Sequence, residues 1–256
     1  EYANIRLSYS DDQYQTVVGT LKGSIDVKVG ADGKVETAAA ALSVRNGFMR
    51  VAGYGSTVRV PSVDLIVRQQ GSDTILQNLF IDLEQSGQIS LSGTRKKADD
   101  VFVTNLALTS EFLDVELFKH LWPKGLASKT ALWTHQHISS GIFGRSQLSL
   151  VITEQDEQPK LVSVSGDVLF DDVQFHLYQD LIPATSLSGL LKFRDNQLTL
   201  NIKKGVIEHL SVQQAQIGFG PLFPVGRERN LNVRLLTRGD VSTVLSVLGH
   251  SRINQL

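Results

Sequence analysis

Cysteine is absent from the chain, proline is scarce at six residues, methionine occurs once, and no long run of like charge is present. Each absence excludes a class of structure or partner. Without cysteine there are neither disulfides nor thiolate metal sites. With 25 basic and 26 acidic residues, a net charge of −1, the chain lacks the concentrated basic patch that phosphate backbones require. Nucleic acid is therefore not an expected partner. No apolar run reaches the roughly 18 residues of a membrane-crossing helix. Catalytic signatures are missing as well. There is no Gly-x-Ser-x-Gly elbow, and Gly218-Phe219-Gly220-Pro221 has neither the lysine nor the spacing of a phosphate loop. A hydrolase or carbohydrate-active β-domain would need convergent acids or a nucleophile with its base. The sequence offers neither, so no enzyme, cofactor or metal is expected.

What is present is a period of two. The 256 residues, 21 of them glycine, suffice for one large all-β unit or two modules with a sizeable core, and suit many tight turns. Ile5 and Leu7 alternate with polar neighbours, as do Ile25, Val27 and Val29 before a turn at Ala31-Asp32-Gly33. Val35 to Val44 reads as the return strand, and Asn46-Gly47 as a second hairpin signal. Val58 to Val67 contains Pro61, so it is an edge strand or two strands broken by a bulge. Ile75, Leu79, Ile81, Leu83, Ile89 and Leu91 continue the series to Val101–Leu108.

The second half alternates more cleanly. Val162, Val164, Val168 and Phe170 face one way, with Asp171-Asp172 as a turn or bulge. Leu187, Leu191 and Phe193 form the next face, Asp195-Asn196 a turn, then Leu198, Leu200 and Ile202. Ile217 with Phe219, and Leu231, Val233 with Leu235, complete about fifteen strands whose short connections require antiparallel pairing. An apolar strand face must be covered, and a barrel, a two-sheet sandwich and an open curved sheet all satisfy this alternation.

One helical stretch interrupts the strands and holds both tryptophans, Trp122 and Trp133. Ser110 is the expected N-cap of a helix that begins with Glu111 and ends at Pro123, with Leu113, Leu117 and Leu121 at i, i+4 spacing. A second helix is expected from Lys129 to Ile138 behind Ser128. A third is expected over Asp240–Leu248, stopped by Gly249. The tryptophans are expected to seat these helices on the sheet. His135-Gln136-His137 would ligate zinc on a strand, but on a helix i and i+2 side chains diverge. Asp99-Asp100 and Arg95-Lys96-Lys97 read as solvated loops, although the basic run could meet anionic headgroups.

Leu121-Trp122-Pro123, Leu132-Trp133, His137-Ile138 and Gly141 together resemble a motif of the AsmA-like family. That is the group of large Gram-negative envelope proteins that includes AsmA, YhdP and TamB. His137 stands where the family usually has asparagine. Gly166, Phe170, Leu177, Pro183, Leu187-Ser188-Gly189 and Gly205 follow in the family's order. Leu231, Val233, Gly239-Asp240-Val241 and Leu245 to Leu248 are similar to its final strand and capping helix. The resemblance spans about Asp99 to Leu248. It implies an all-β chain dominated by a long twisted antiparallel sheet curled into a U-shaped repeating β-groove, with a short helical insertion and a C-terminal helix. The organisation expected is an N-terminal β-ladder (1–108), a helical segment (109–139) and a C-terminal β-ladder (140–256) capped by helix 240–248, forming one groove.

The resemblance further implies a periplasmic, envelope-spanning parent anchored in the inner membrane, whose groove holds phospholipid acyl chains and supports phospholipid transport between inner and outer membrane. The partners implied are phospholipid, neighbouring groove repeats of the same parent chain, and the membranes at the parent's termini. The groove residues expected are the alternating apolar side chains of the second half, from Val162 to Leu235. Fifteen strands would extend about 70 Å, too short to cross a periplasm. Together with Glu1 in place of an initial Met, this leads us to expect a piece of a longer chain. The competing reading is a structural or protein-interaction β-module of the envelope that conducts no lipid.

Overall fold

The computed structural model describes residues 6–7, 14–33, 35–122, 128–155, 158–176, 183–222 and 230–240. Strands dominate, in the order β1 (Arg6–Leu7), β2 (Tyr14–Val29), β3 (Val35–Val51), β4 (Thr57–Gln70), β5 (Asp73–Asp82), β6 (Gln88–Ala98), β7 (Val101–Glu111) and the two-residue β8 (Leu113–Asp114). After helices α1 (Val115–Leu121) and α2 (Ser128–His137) come β9 (Ile138–Gln155), β10 (Gln158–Phe175), β11 (Ala184–Arg194), β12 (Gln197–Ile207), β13 (Leu210–Gly220) and β14 (Asn230–Arg238). Thirteen of these lie side by side in chain order as one antiparallel sheet, and β8 pairs with β9 beside them. The two expected ladders are therefore continuous, because β7 pairs directly with β9 across the helical interruption. Twelve intervals of about 4.8 Å make the sheet roughly 58 Å wide.

The alternation in sequence becomes a division between two faces. Following Cα partners across the sheet, one row runs Leu21, Val44, Val63, Ile81, Ile89, Ser110, Ser146, Val168, Leu191, Leu200, Ile217 and Val233. Two residues further along each strand, the next row reads Gly23, Leu42, Leu65, Leu79, Leu91, Leu108, Leu148, Gly166, Phe193, Leu198, Phe219 and Leu231. A third row adds Ile25, Ala40, Val67, Leu76, Gly93, Leu106, Leu150 and Val164. The opposite face is more polar, with Ser43, Asp64, Phe80, Ser90, Thr109, Gln147, Asp167, Lys192 and Thr199 in a matching row.

Register irregularities and inner glycines bend this sheet. β4 is internal and continuous. Pro61 stands opposite Asn46, at the one position that the otherwise unshifted β3–β4 register leaves unpaired between Gly47↔Val60 and Arg45↔Ser62, and the β5 ladder starts beyond it at Ser62. Its missing N–H thus leaves no ladder position empty, and the strand is neither the edge strand nor the pair broken by a register-shifting bulge that Pro61 led us to expect. Asn46 lies across from it at φ 54°. The expected Asn46-Gly47 hairpin is therefore a kink inside β3, and the chain turns only after Val51. At Gly93 and Gly166, both on the inner face, an added Cβ would stand 2.1 Å and 2.0 Å from the carbonyl oxygens of Asn105 and Gln147. The neighbouring strand leaves no room there for a side chain, and glycine kinks of this kind curve sheets.

The helical expectations need one correction. Ser110 caps nothing. It pairs with Ile89 and with Ser146 in the ladder, and those backbone bonds carry β7 on through Glu111. The cap is Asp114, whose Oδ1 accepts the Leu117 N–H at 2.8 Å. α2 lies one residue earlier than expected at each end, because Ile138 pairs with Phe175. Among the described residues the strands number fourteen, and the capping helix expected over Asp240–Leu248 falls, beyond Asp240, outside them.

Candidate functional site: the inner face of the sheet

Helix α1 sits on the apolar face and creates the core there. Leu117 packs with Val51, Val58, Val60, Leu83 and Leu113 in one buried cluster, while Val115 joins Phe170, Val173, Leu187, Ile202, Val212 and Ala215 in the other. Phe143 packs against both. The largest side chains with almost no exposure among the described residues are Leu83, Leu117 and Val115, so complete burial is confined to the neighbourhood of this short helix. Phe118 stacks edge-on against Phe143 and Trp122, and the Trp133 ring lies 5.8 Å from that of Phe175 on β10. Both tryptophans thus touch the packing of the helical segment, although Trp133 remains 44% exposed.

Polar groups secure the helix. Lys119 is buried, and its ammonium donates to Glu116 Oε2 at 2.6 Å and to the Ile138 carbonyl at 3.0 Å. Burial opposes ionisation of Glu116, but the Lys119 ammonium and then the His120 imidazole beside it prevail and hold its carboxyl below the usual range. His120 lies edge-on to Tyr54 in the β3–β4 turn, ring centroids 5.9 Å apart. α1, joined through β8 to β9, thereby reaches a turn four strand intervals away. Burial, then the Asp114 and Glu116 carboxylates, raise the Tyr54 phenol's pKa, with the Ser86 hydrogen bond opposing.

Beyond the helix the apolar face has no covering layer among the described residues. Leu42, Leu65, Leu79, Leu91, Leu108 and Leu148 are half-buried. At the edges the face is open: Ile25 is 69% and Val233 56% exposed. The fifteen residues expected to line a groove divide accordingly. Val168, Phe170, Leu187 and Ile202 are buried, the last three in the Val115 cluster. Val164, Leu191, Phe193, Leu198, Leu200, Ile217 and Phe219 are half-buried, Val233 and Leu235 are exposed, and Leu231 pairs with Phe219. Val162 has no ladder partner: the register steps from Leu161↔Ile152 to Ser163↔Val151, so Leu161 takes the inner position. The expected set omitted the leucine row of β3 to β9. Its signal, leucine at alternate positions on consecutive strands, was legible, but only registers show that these leucines meet.

The polar motifs resolve into separate structural parts. His135 Nε2 meets the Lys119 carbonyl at 3.1 Å, while His137 Nδ1 meets the His176 carbonyl at 2.5 Å. No group of three or more His, Asp or Glu among the described residues is placed to hold a metal. Asp171 and Asp172 form a bulge with Asp172 at φ 51°. The Ser188 hydroxyl donates to Asp171, and this bond, with Lys204 nearby, outweighs burial and lowers its pKa. Asp99-Asp100 is the β6–β7 turn. Arg95-Lys96-Lys97 is not a loop: all three lie in β6, and Arg95 and Lys97 face inward with Leu91.

No helix of the described residues is long and apolar enough to cross a membrane. Compared with protein-family models, curated proteins and solved structures, the chain matches none.

Proposed function

We propose that the inner face is a trough for phospholipid acyl chains, and that the chain is a segment of an AsmA-like envelope protein, anchored in the inner membrane, that supports phospholipid transport across the periplasm. The observation that carries this reading is the apolar face from β2 to β14, one side chain deep and, among the described residues, left open beyond α1. A face of leucine, valine and phenylalanine offers each CH₂ about 0.8 kcal/mol on leaving water and no directional partner. An acyl chain is held by the sum yet free to slide. Open edges at both ends favour continuation by neighbouring strands of a parent chain. The same edges support the second reading, a protein-interaction module without lipid conduction.

Extraction of the purified protein followed by mass spectrometry tests the first reading. Co-purifying phospholipid is expected, and Leu91→Glu or Leu148→Glu, placing a carboxylate in the middle of the leucine row, should remove most of it while the strand signal in circular dichroism is retained. Folded, delipidated protein that takes up no fluorescent phospholipid would sink the reading.

A further inference from the structure

We infer that the trough has a headgroup end, and that it suits a headgroup carrying both charges, a phosphodiester with an ammonium. The inference rests on the acyl-chain reading above. At ladder-paired positions of the inner face, the described strands carry charge at Arg95, Lys97 and Glu154 and nowhere else. Arg95 and Lys97 lie on β6 and Glu154 on β9, with β7 between them, all at one margin. Arg95 pairs with Thr104 of β7, which pairs with Ile152 of β9; Lys97 pairs with Phe102, which pairs with Glu154.

The geometry leaves both signs available. The Arg95 guanidinium lies 3.7 Å from the centroid of the Phe102 ring and meets Glu154 through a single Nη2–Oε2 contact of 3.2 Å. Stacking fixes the plane of the guanidinium while most of its five N–H donors are unused, and Glu154 keeps an oxygen free of Arg95. The two side chains are 36% and 30% exposed, so the pair is weak and opens at little cost. A phosphate would take the Arg95 fork with Lys97 beside it, and an ammonium would take Glu154, exchanging one exposed ion pair for two.

The distances fit. Ser110, buried near α1, and Thr104, opposite Arg95, are six residues apart on β7, about 20 Å along the strand. The rows between them are apolar. That span compares with about 15 Å for one leaflet, half of a hydrocarbon core about 30 Å thick. A lipid lying along the strands with its headgroup at Arg95 and Glu154 would end its tails against the helix.

The test uses the whole chain, incubated with vesicles of equimolar phosphatidylethanolamine and phosphatidylglycerol, re-isolated, and analysed for bound lipid. Wild-type protein should retain the ethanolamine lipid in excess. Glu154→Gln should lower that ratio about two- to fivefold, the range an exposed charge pair commands. Arg95→Gln should reduce both lipids, and Lys96→Gln, on the outer face, should change neither. An equal yield of both lipids from wild type, or a ratio that Glu154→Gln leaves unaltered, overturns the headgroup assignment and leaves the trough standing. No lipid of either kind overturns both.

Discussion

At the scale of single residues, the helix is secured by a buried ammonium. Lys119 satisfies two of its three donors through Glu116 and the Ile138 carbonyl. Truncation to alanine removes both bonds and leaves the Ile138 carbonyl, in a half-buried residue, without this donor, so Lys119→Ala should cost about 2 kcal/mol in urea melts. Lys119→Met keeps the packing of the stem and should cost less. Acid dependence follows with a definite sign. Glu116 has its carboxyl pKa lowered from the ordinary 4.5. Its contribution to stability is therefore present above that value and is lost as pH falls through the lower, folded one. Titrating stability downward from pH 6 should show an acid limb that Lys119→Met flattens. An unchanged limb would mean that Glu116 is not held by Lys119.

At the scale of elements, α1 is short and not self-sufficient, and its stability comes from what it touches. Leu117 is fully buried among residues of β3, β4 and β8. Leu117→Ala should cost about 3 kcal/mol, read by thermal or urea melting. Removing the Asp114 cap should cost about 1 kcal/mol. Gly166→Ala should cost on the order of 2 kcal/mol, since φ is +138° and the new methyl group would collide with the Gln147 carbonyl. Strand identity and the sidedness of each strand were legible in the alternation, as were the turns at Ala31-Asp32-Gly33 and Asp195-Asn196. The start of α1 was not. Ser110 and Glu111 have the chemistry of a helix N-terminus, but a ladder on both sides of β7 supplies backbone bonds that a local signal cannot outbid. Asn46-Gly47 misled for a related reason. The left-handed conformation it favours served a kink opposite Pro61 instead of a hairpin, and only the partner strand decides between the two. The inward pair Arg95 and Glu154 was invisible as a pair because 59 residues separate its members.

At the scale of the molecule, the sheet of the described residues has two edges and an apolar face covered only around α1. Ile25, Val27 and Val29 on β2, beyond its short pairing with β1, and Val233 with Leu235 on β14 are apolar and exposed, and no further strand pairs there among the described residues. Such edges recruit further strands. Isolated chain should therefore self-associate with concentration in sedimentation velocity, and Val233→Lys with Leu235→Lys should shift it toward monomer. A monomer at high concentration without these changes would count against edge pairing.

Thirteen strands laid down in chain order also mean that every hairpin meets only its predecessor and successor. A barrel must satisfy a closure condition that ties strand number to shear and diameter. An open meander satisfies none, and its length is a free parameter, as in solenoids whose stability is a sum of nearest-neighbour terms. Duplicating one hairpin widens the sheet by two strands, about 10 Å, and keeps leucine on the same side because the residue parity is unchanged. The width of such a sheet can grow one hairpin at a time.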